Sequence, residues 1–259
     1  MRLRHPRIVA FLGAGELIDS QNKIGVFLML QWASGGDLTY RLETASGSVT
    51  KFPWIDRVQC ALDIAEGMAF IHSEGFIHRD LKSMNVLCDQ DGRCMIADLG
   101  LVRQEYRRTR INSMNPVNSI NSVTKMERKS SLDFDETMEH DFTTAWQGTT
   151  SWMAPEVMRN DYGLKVDVYS FGMVMWELLT CRIPWSSAEH QFAHLILKAV
   201  VDGERPVATE EEMTHAPFGY VALMEKCWRT MREERPSFAE ALKELKIISA
   251  HHGRQVVGK

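Results

Sequence analysis

Asp80, Lys82, Asn85 and Asp98 are the side-chain types that transfer of a phosphoryl group requires, and they follow one another in a workable order. Such a transfer asks the protein for in-line positioning and for compensation of negative charge, with little covalent chemistry of its own. A carboxylate at Asp80 can orient an attacking hydroxyl and accept its proton. Two residues on, Lys82 can set an ammonium against a phosphate. The amide oxygen of Asn85 and the carboxylate of Asp98 are hard oxygen ligands of the kind Mg²⁺ prefers, completed by phosphate oxygens. Taken alone, Asp98-Leu99-Gly100 is an ordinary turn. Its position after a hairpin gives it weight.

Val86 to Cys88 and Arg93 to Ala97 flank Asp91-Gly92, a turn signal, so they read as a small β-hairpin with Asn85 at one end and Asp98 at the other. Before it, Pro53 to Gly75 is helical: Ile55, Val58, Leu62, Ala65, Met68 and Ile71 recur at three and four residues, and Gly75 can close the helix. Ile8 to Asp19 and Lys23 to Trp32 are apolar, strand-like runs joined by Ser20-Gln21-Asn22. Asp167 to Thr180 is apolar nearly all round, which marks a buried central helix. Further helices are expected near Ala188 to Val201 and Tyr220 to Trp228. Ser237 and Glu240 form a capping box that opens a last helix running to about Ile248.

The segment from Arg103 to Asp141 has little hydrophobic periodicity. It is rich in Asn and Ser, basic at its start and acidic at its end. That composition cannot bury enough apolar area to order itself, so 103–141 is expected to be a disordered insert.

The 259 residues carry 44% hydrophobic and 25% charged side chains, the balance of a soluble globular protein. A formal net charge of −4 gives no global reason to expect nucleic acid or an anionic membrane as partner. The five cysteines are scattered, with no CxxC pair or Cys/His cluster, so reduced and mostly buried thiols in a cytoplasmic protein are expected. The longest apolar run, Phe171 to Leu179, is broken by Glu177 and too short to span a bilayer, so no membrane segment is expected in the chain.

His78-Arg79-Asp80-Leu81-Lys82-Ser83-Met84-Asn85 fits the H-R-D-x-x-x-x-N catalytic-loop pattern, and the chain from Arg4 to about Ile248 resembles the eukaryotic protein kinases. Trp152-Met153-Ala154-Pro155-Glu156 resembles the end of an activation segment, and Asp167-Val168-Tyr169-Ser170-Phe171-Gly172 the start of the central helix. The resemblance implies an α+β, protein-kinase-like bilobal fold, with a mostly helical large lobe (34–259) and an incomplete small β lobe (1–33). It implies ATP and Mg²⁺ as cofactors and a protein Ser/Thr hydroxyl as acceptor. It makes Asp80, Lys82 and Asn85 catalytic, and Asn85 and Asp98 metal ligands. Leu30, Gln31, Trp32 and Ala33 become the hinge that meets adenine, with Asp37 near the ribose and Leu87 on the pocket floor. Asp167 would brace the catalytic loop and Arg235 would pair with Glu156. His78 reads as a buried packing residue, and Arg79 would face phosphate on the activation segment. Leu99 stands where the family has Phe and can fill the same slot beside Gly100.

Lys82 and Thr149 occupy positions that resemble serine/threonine kinases. The surrounding phrases are similar to the tyrosine-kinase-like group, with its Raf-like and mixed-lineage-like members. By the same resemblance, a Gly-rich loop, a strand lysine and a helix with a pairing Glu should precede His5. Met1 to Arg4 cannot hold them, and Gly13-Ala14-Gly15 lacks the loop's spacing. The expectation is thus an N-terminally truncated kinase domain, weakly active or inactive on its own. The alternative is a pseudokinase-like scaffold or binding module. Phosphate placed by an upstream activating kinase on Thr143, Thr144, Thr149, Thr150 or Ser151 would order the activation segment through Arg79.

Overall fold

Two long, largely buried helices form the centre of the core that supports the candidate site. The computed structural model describes residues 3–18, 22, 24–45, 50–104, 149–159, 163–186 and 192–257. In chain order these form β1 (Phe11–Ile18), β2 (Ile24–Leu30), α1 (Leu38–Ala45), α2 (Trp54–Ser73), β3 (Phe76–Ile77), β4 (Val86–Cys88), β5 (Cys94–Ile96), β6 (Arg103–Gln104), α3 (Lys165–Thr180), α4 (Ala193–Val201), α5 (Glu210–His215), α6 (Tyr220–Cys227) and α7 (Phe238–Val257). The residues between 104 and 149, which include most of the Asn/Ser-rich insert together with Thr143 and Thr144, lie outside the described set.

Every residue of α3 except Lys165 and Ser170 is buried, as its unbroken apolar run requires. Each fully buried Ile, Met or Phe in such a core contributes roughly 1.5–3 kcal/mol. Helix α2 packs against α3 and α7. It buries more than the stripe read from the sequence: Cys60, Ala61 and Ile64 are fully inside, whereas Ile55 is 48% exposed. Two charged residues are also buried in α2, and both are paired. Arg57 donates to the carbonyls of Leu178 and Leu179 and so caps the C-terminus of α3. Asp63 accepts from Arg93 and from the Cys94 amide, which ties α2 to β5. Gly75, at φ +79°, releases the chain from α2 into β3.

The strands form three two-stranded sheets, β1–β2, β3–β6 and β4–β5. Arg103 and Gln104 pair with Ile77 and Phe76, so ordered pairing reaches two residues into the segment expected to be disordered. The β1–β2 hairpin is exposed on both faces, with Leu12, Ile24 and Val26 all at least 66% accessible. It is anchored at its base, where Val9 donates to the Ile96 carbonyl and Ile96 to the Arg7 carbonyl. Helix α7 starts at the expected capping box, in which Glu240 accepts from the Ser237 amide and the Glu240 amide donates to Ser237 Oγ. It continues to Val257, beyond the expected end. All five cysteines are free and buried. Among the described residues, no helix is long and apolar enough to cross a membrane.

Candidate active site

The β4–β5 hairpin holds the two candidate metal ligands at neighbouring positions. Its turn is set by Asp89, whose Oδ1 accepts from the amides of Asp91 and Arg93, and by Gly92 at φ +73°. At the other end the Ala97 amide donates to the Asn85 carbonyl at 2.9 Å. Asp98 follows directly, exposed, in the left-handed conformation at φ 53°. A non-glycine residue held there costs of order 1–3 kcal/mol and is found preferentially at functional sites. The Gly100 amide donates to Asp98 Oδ1 at 3.3 Å.

Asp167 of α3 organises the loop before the hairpin. Fully buried, it accepts from the amides of His78 and Arg79, each at 2.8 Å, and pairs with His72 Nε2 at 2.8 Å. Arg79 is thereby held at φ 74°. His78 is buried, and both of its ring nitrogens are used. Nδ1 accepts from the Asp80 amide, so Nε2 carries the proton and donates to the Ala97 carbonyl. This neutral tautomer links the loop to the hairpin and leaves no free nitrogen for acid–base work.

Asp80 is 7% exposed. Its Oδ2 receives Asn85 Nδ2 at 2.8 Å and Lys82 Nζ at 3.0 Å. Its Oδ1 is buried without a partner, and buried polar atoms ordinarily have one. Among the described residues no donor reaches it. Asn85 directs its Nδ2 at Asp80 twice, to the carbonyl and to the carboxylate, so its amide oxygen takes no part in these bonds. Lys82 Nζ also donates to Thr149 Oγ1 at 2.9 Å. One ammonium thus joins the candidate base to the residue that resumes the described chain after the insert.

The donor set suits Mg²⁺. Among the described residues, no three His, Cys, Asp or Glu side chains are gathered to hold a metal by themselves. One carboxylate and one amide oxygen, completed by phosphate oxygens and water, is the arrangement Mg²⁺ accepts.

Next to the hairpin, Ala33 and Val9 pack with Met95, Ala97 and Leu87 in a small apolar cluster separate from the main core. Ala33 joins this cluster to the end of the segment Leu30 to Ala33. Leu30, Gln31 and Trp32 are exposed, Trp32 at 85%, and the peptide groups of Trp32 and Ala33 enter no backbone hydrogen bond among the described residues. Asp37 Oδ1 caps α1 by accepting from the Tyr40 amide, while its backbone bridges to Leu87. Gly35 allows that approach: a Cβ there would lie 2.6 Å from the Asp89 carbonyl.

Further out, Arg235 and Glu156 form a bidentate pair at 2.6 and 2.9 Å, the arginine fully buried. Lys165 Nζ donates to the Arg235 carbonyl. Leu99 packs against the main core. Thr150 is buried, and Ser151 is half-buried.

These residues lie within a match to a known family. The model of the protein kinase domain covers residues 1–245. The chain belongs to the protein kinase family. The kinase fold is of the α+β, bilobal class. Among relatives of this kinase domain, a protein of Acanthamoeba polyphaga mimivirus named for a serine/threonine-protein kinase/receptor is 31% identical over 95% of the chain and 13% of its own length. The serine/threonine-protein kinase drkD, so named with the word probable, of Dictyostelium discoideum is 32% identical over 93% of the chain and 15% of its own length. Serine/threonine-protein kinase 12 of Arabidopsis thaliana is 29% identical over 98% of the chain and 47% of its own length. The kinase domain thus spans less than half of these proteins.

Sequence reasoning missed a buried network behind the loop. Glu177 accepts from Ser83 Oγ at 2.6 Å and from Trp152 Nε1 at 2.7 Å, and Ser83 Oγ lies 2.8 Å from Thr39 Oγ1. Burial pushes the Glu177 carboxyl up to about 8, against the lowering effect of those two donors. The signal was available: Glu177 is the only carboxylate inside the longest apolar run. His72 was likewise read only as a helix residue, although it contacts Asp167.

Proposed function

We propose that this kinase domain transfers the γ-phosphoryl group of ATP to serine or threonine hydroxyls of a protein substrate. The observation that carries this reading is the unpartnered, buried Asp80 Oδ1 beside the Lys82 bridge to Thr149. In this reading Asp80 Oδ1 accepts the hydrogen bond of the incoming hydroxyl and then its proton. Lys82 holds the second carboxylate oxygen in place and compensates charge at the transferring phosphate. The Asn85 amide oxygen and the Asp98 carboxylate hold Mg²⁺, which when bound offsets the phosphate charge. The Val9, Ala33, Leu87, Met95 and Ala97 cluster supports adenine, and the peptide groups of Trp32 and Ala33 meet its edge. Arg79 faces the activation segment, where an upstream kinase would place phosphate. The His-Arg-Asp-Leu-Lys-Ser, Trp-Met-Ala-Pro-Glu and Asp-Val-Tyr-Ser-Phe-Gly phrases favour the tyrosine-kinase-like group within the serine/threonine enzymes.

A second reading, a scaffold that binds nucleotide without transfer, is favoured by one observation. Leu99 stands where the family has Phe, directly beside the candidate metal ligand Asp98. Two assays separate the readings. Magnesium-dependent ATP binding that is lost in Asp98→Asn supports the metal-ligand assignment. Transfer to a serine-containing protein substrate that is lost in Asp80→Asn supports the kinase. Binding without any Asp80-dependent transfer would favour the scaffold.

A further inference from the structure

The hairpin between Asn85 and Asp98 carries two thiols face to face. Cys88 and Cys94 are register partners across β4 and β5. The Cys88 amide donates outward to the Gly36 carbonyl at 2.7 Å, and its carbonyl accepts from Gly35 at 2.9 Å. The pair is therefore of the non-hydrogen-bonded type, in which facing side chains come closest and the Cα atoms stand about 4.5 Å apart. A disulfide spans Cα separations of about 4.4–6.8 Å, so the backbone need not move to form one. The two Sγ atoms already lie 4.0 Å apart.

The surroundings distinguish this pair from the other cysteines. Cys60 of α2 contributes a third thiol on the Cys94 side, and it raises the Cys94 thiol above its usual range together with Cys88 and burial. Arg41 of α1 sets Nη1 3.7 Å from Cys60 Sγ and 2.8 Å from the Gly92 carbonyl. The hydrogen bond from Cys94 pulls the Cys88 thiol below its usual range, helped by the Arg41 charge and opposed by burial. Cys227 has no thiol beside it, and burial pushes its thiol strongly upward.

We propose that Cys88 and Cys94 are a redox-active dithiol, oxidised by a hydroperoxide to a disulfide that ties β4 to β5 beside the candidate metal ligands. The Cys88 thiolate attacks hydrogen peroxide, forming an S–O bond and breaking the O–O bond. The hydroxide released takes up a proton to become water. Cys94 sulfur then attacks the sulfenic sulfur. The S–S bond forms, the S–O bond breaks, and the oxygen leaves as a second water carrying the Cys94 proton. In sum, two thiols lose two electrons, one peroxide gains them, and one disulfide and two waters result. All three thiols are buried, which admits a small oxidant and not a bulky one. Arg41, its side chain 24% exposed, lies beside the thiols and is held by the Gly92 carbonyl and Asp56.

Peptide mapping of the full chain tests this directly. Arg93 separates the two cysteines. After treatment with hydrogen peroxide, alkylation of remaining thiols and trypsin, a disulfide joins peptide Ser83–Arg93 to peptide Cys94–Arg103. The expected result is that linked pair, a loss of two hydrogens in intact mass, and reversal by dithiothreitol. Cys60→Ser should leave the link intact, and Cys94→Ser should abolish it. The wild-type map carries the test even where a variant fails to fold. Five alkylated cysteines after oxidation, or a disulfide involving Cys60, would overturn the proposal.

Discussion

Replacing Glu177 by Gln should stabilise the protein relative to wild type by a margin that grows as pH rises. Glu177 is 1% exposed, and burial lifts its carboxyl from the ordinary 4.5 to about 8. At neutral pH the folded protein therefore holds it protonated. Protonation reverses the Ser83-to-Glu177 bond of the ionised form: the Glu177 O–H donates to Ser83 Oγ across the same 2.6 Å, and the Ser83 hydroxyl turns to donate to Thr39 Oγ1. Glutamine reproduces that pattern, with an NH₂ toward Ser83 and a carbonyl that accepts from Trp152. Between pH 4.5 and about 8 the native side chain keeps a proton that the unfolded chain has lost. The stability tied to that proton is complete below 4.5, declines as pH rises, and is gone above about 8. At about 1.36 kcal/mol per pKa unit, the window bounds the loss at about 5 kcal/mol. Glu177→Gln removes this dependence. Urea unfolding of both proteins across the window should show the variant gaining roughly 1 kcal/mol on the wild type per pH unit. Parallel stability curves, or a variant that weakens throughout, would refute the reasoning and mean that the carboxylate is charged in the fold.

Other substitutions probe the supports of the site. Glu156→Ala leaves a fully buried Arg235 without its carboxylate, and should destabilise by about 3–5 kcal/mol in denaturant unfolding. Because Arg235 keeps the carbonyls of Arg229, Thr230 and Lys165, the lower end is expected. Asp167→Asn presents an NH₂ to a site built from donors, and should cost about 1.5–3 kcal/mol for each weakened bond to His72, His78 or Arg79. Thermal unfolding reads the loss, and an unchanged midpoint would contradict the bracing role. Gly35→Ala places a methyl 2.6 Å from the Asp89 carbonyl. It should destabilise by about 1–3 kcal/mol, since the clash is with backbone.

The parts of the site that lie in continuous stretches of sequence were legible as such. Asp80, Lys82 and Asn85 share one loop, and the Asp91-Gly92 turn announces the hairpin that brings Asn85 to Asp98. The central helix declared itself by an apolar run that only a buried helix can use. Contacts between distant residues were not legible from spacing. The Ser83–Glu177–Trp152 network joins three separate segments, and no local pattern encodes it. Helix α1 was also missed, because Leu38–Ala45 is short and its cap is the side chain of Asp37, read as a ribose contact. Ile55 was read as core because it falls at helical spacing. It lies near the start of α2, where it is almost half exposed.

Phosphoamino-acid analysis is the most direct test of the central claim. The protein is incubated with magnesium and radiolabelled ATP beside a protein substrate rich in Ser, Thr and Tyr, with Asp80→Asn in parallel. Label is expected on serine or threonine, with none above background in the variant. Label on tyrosine alone, or equal label in both proteins, would contradict it.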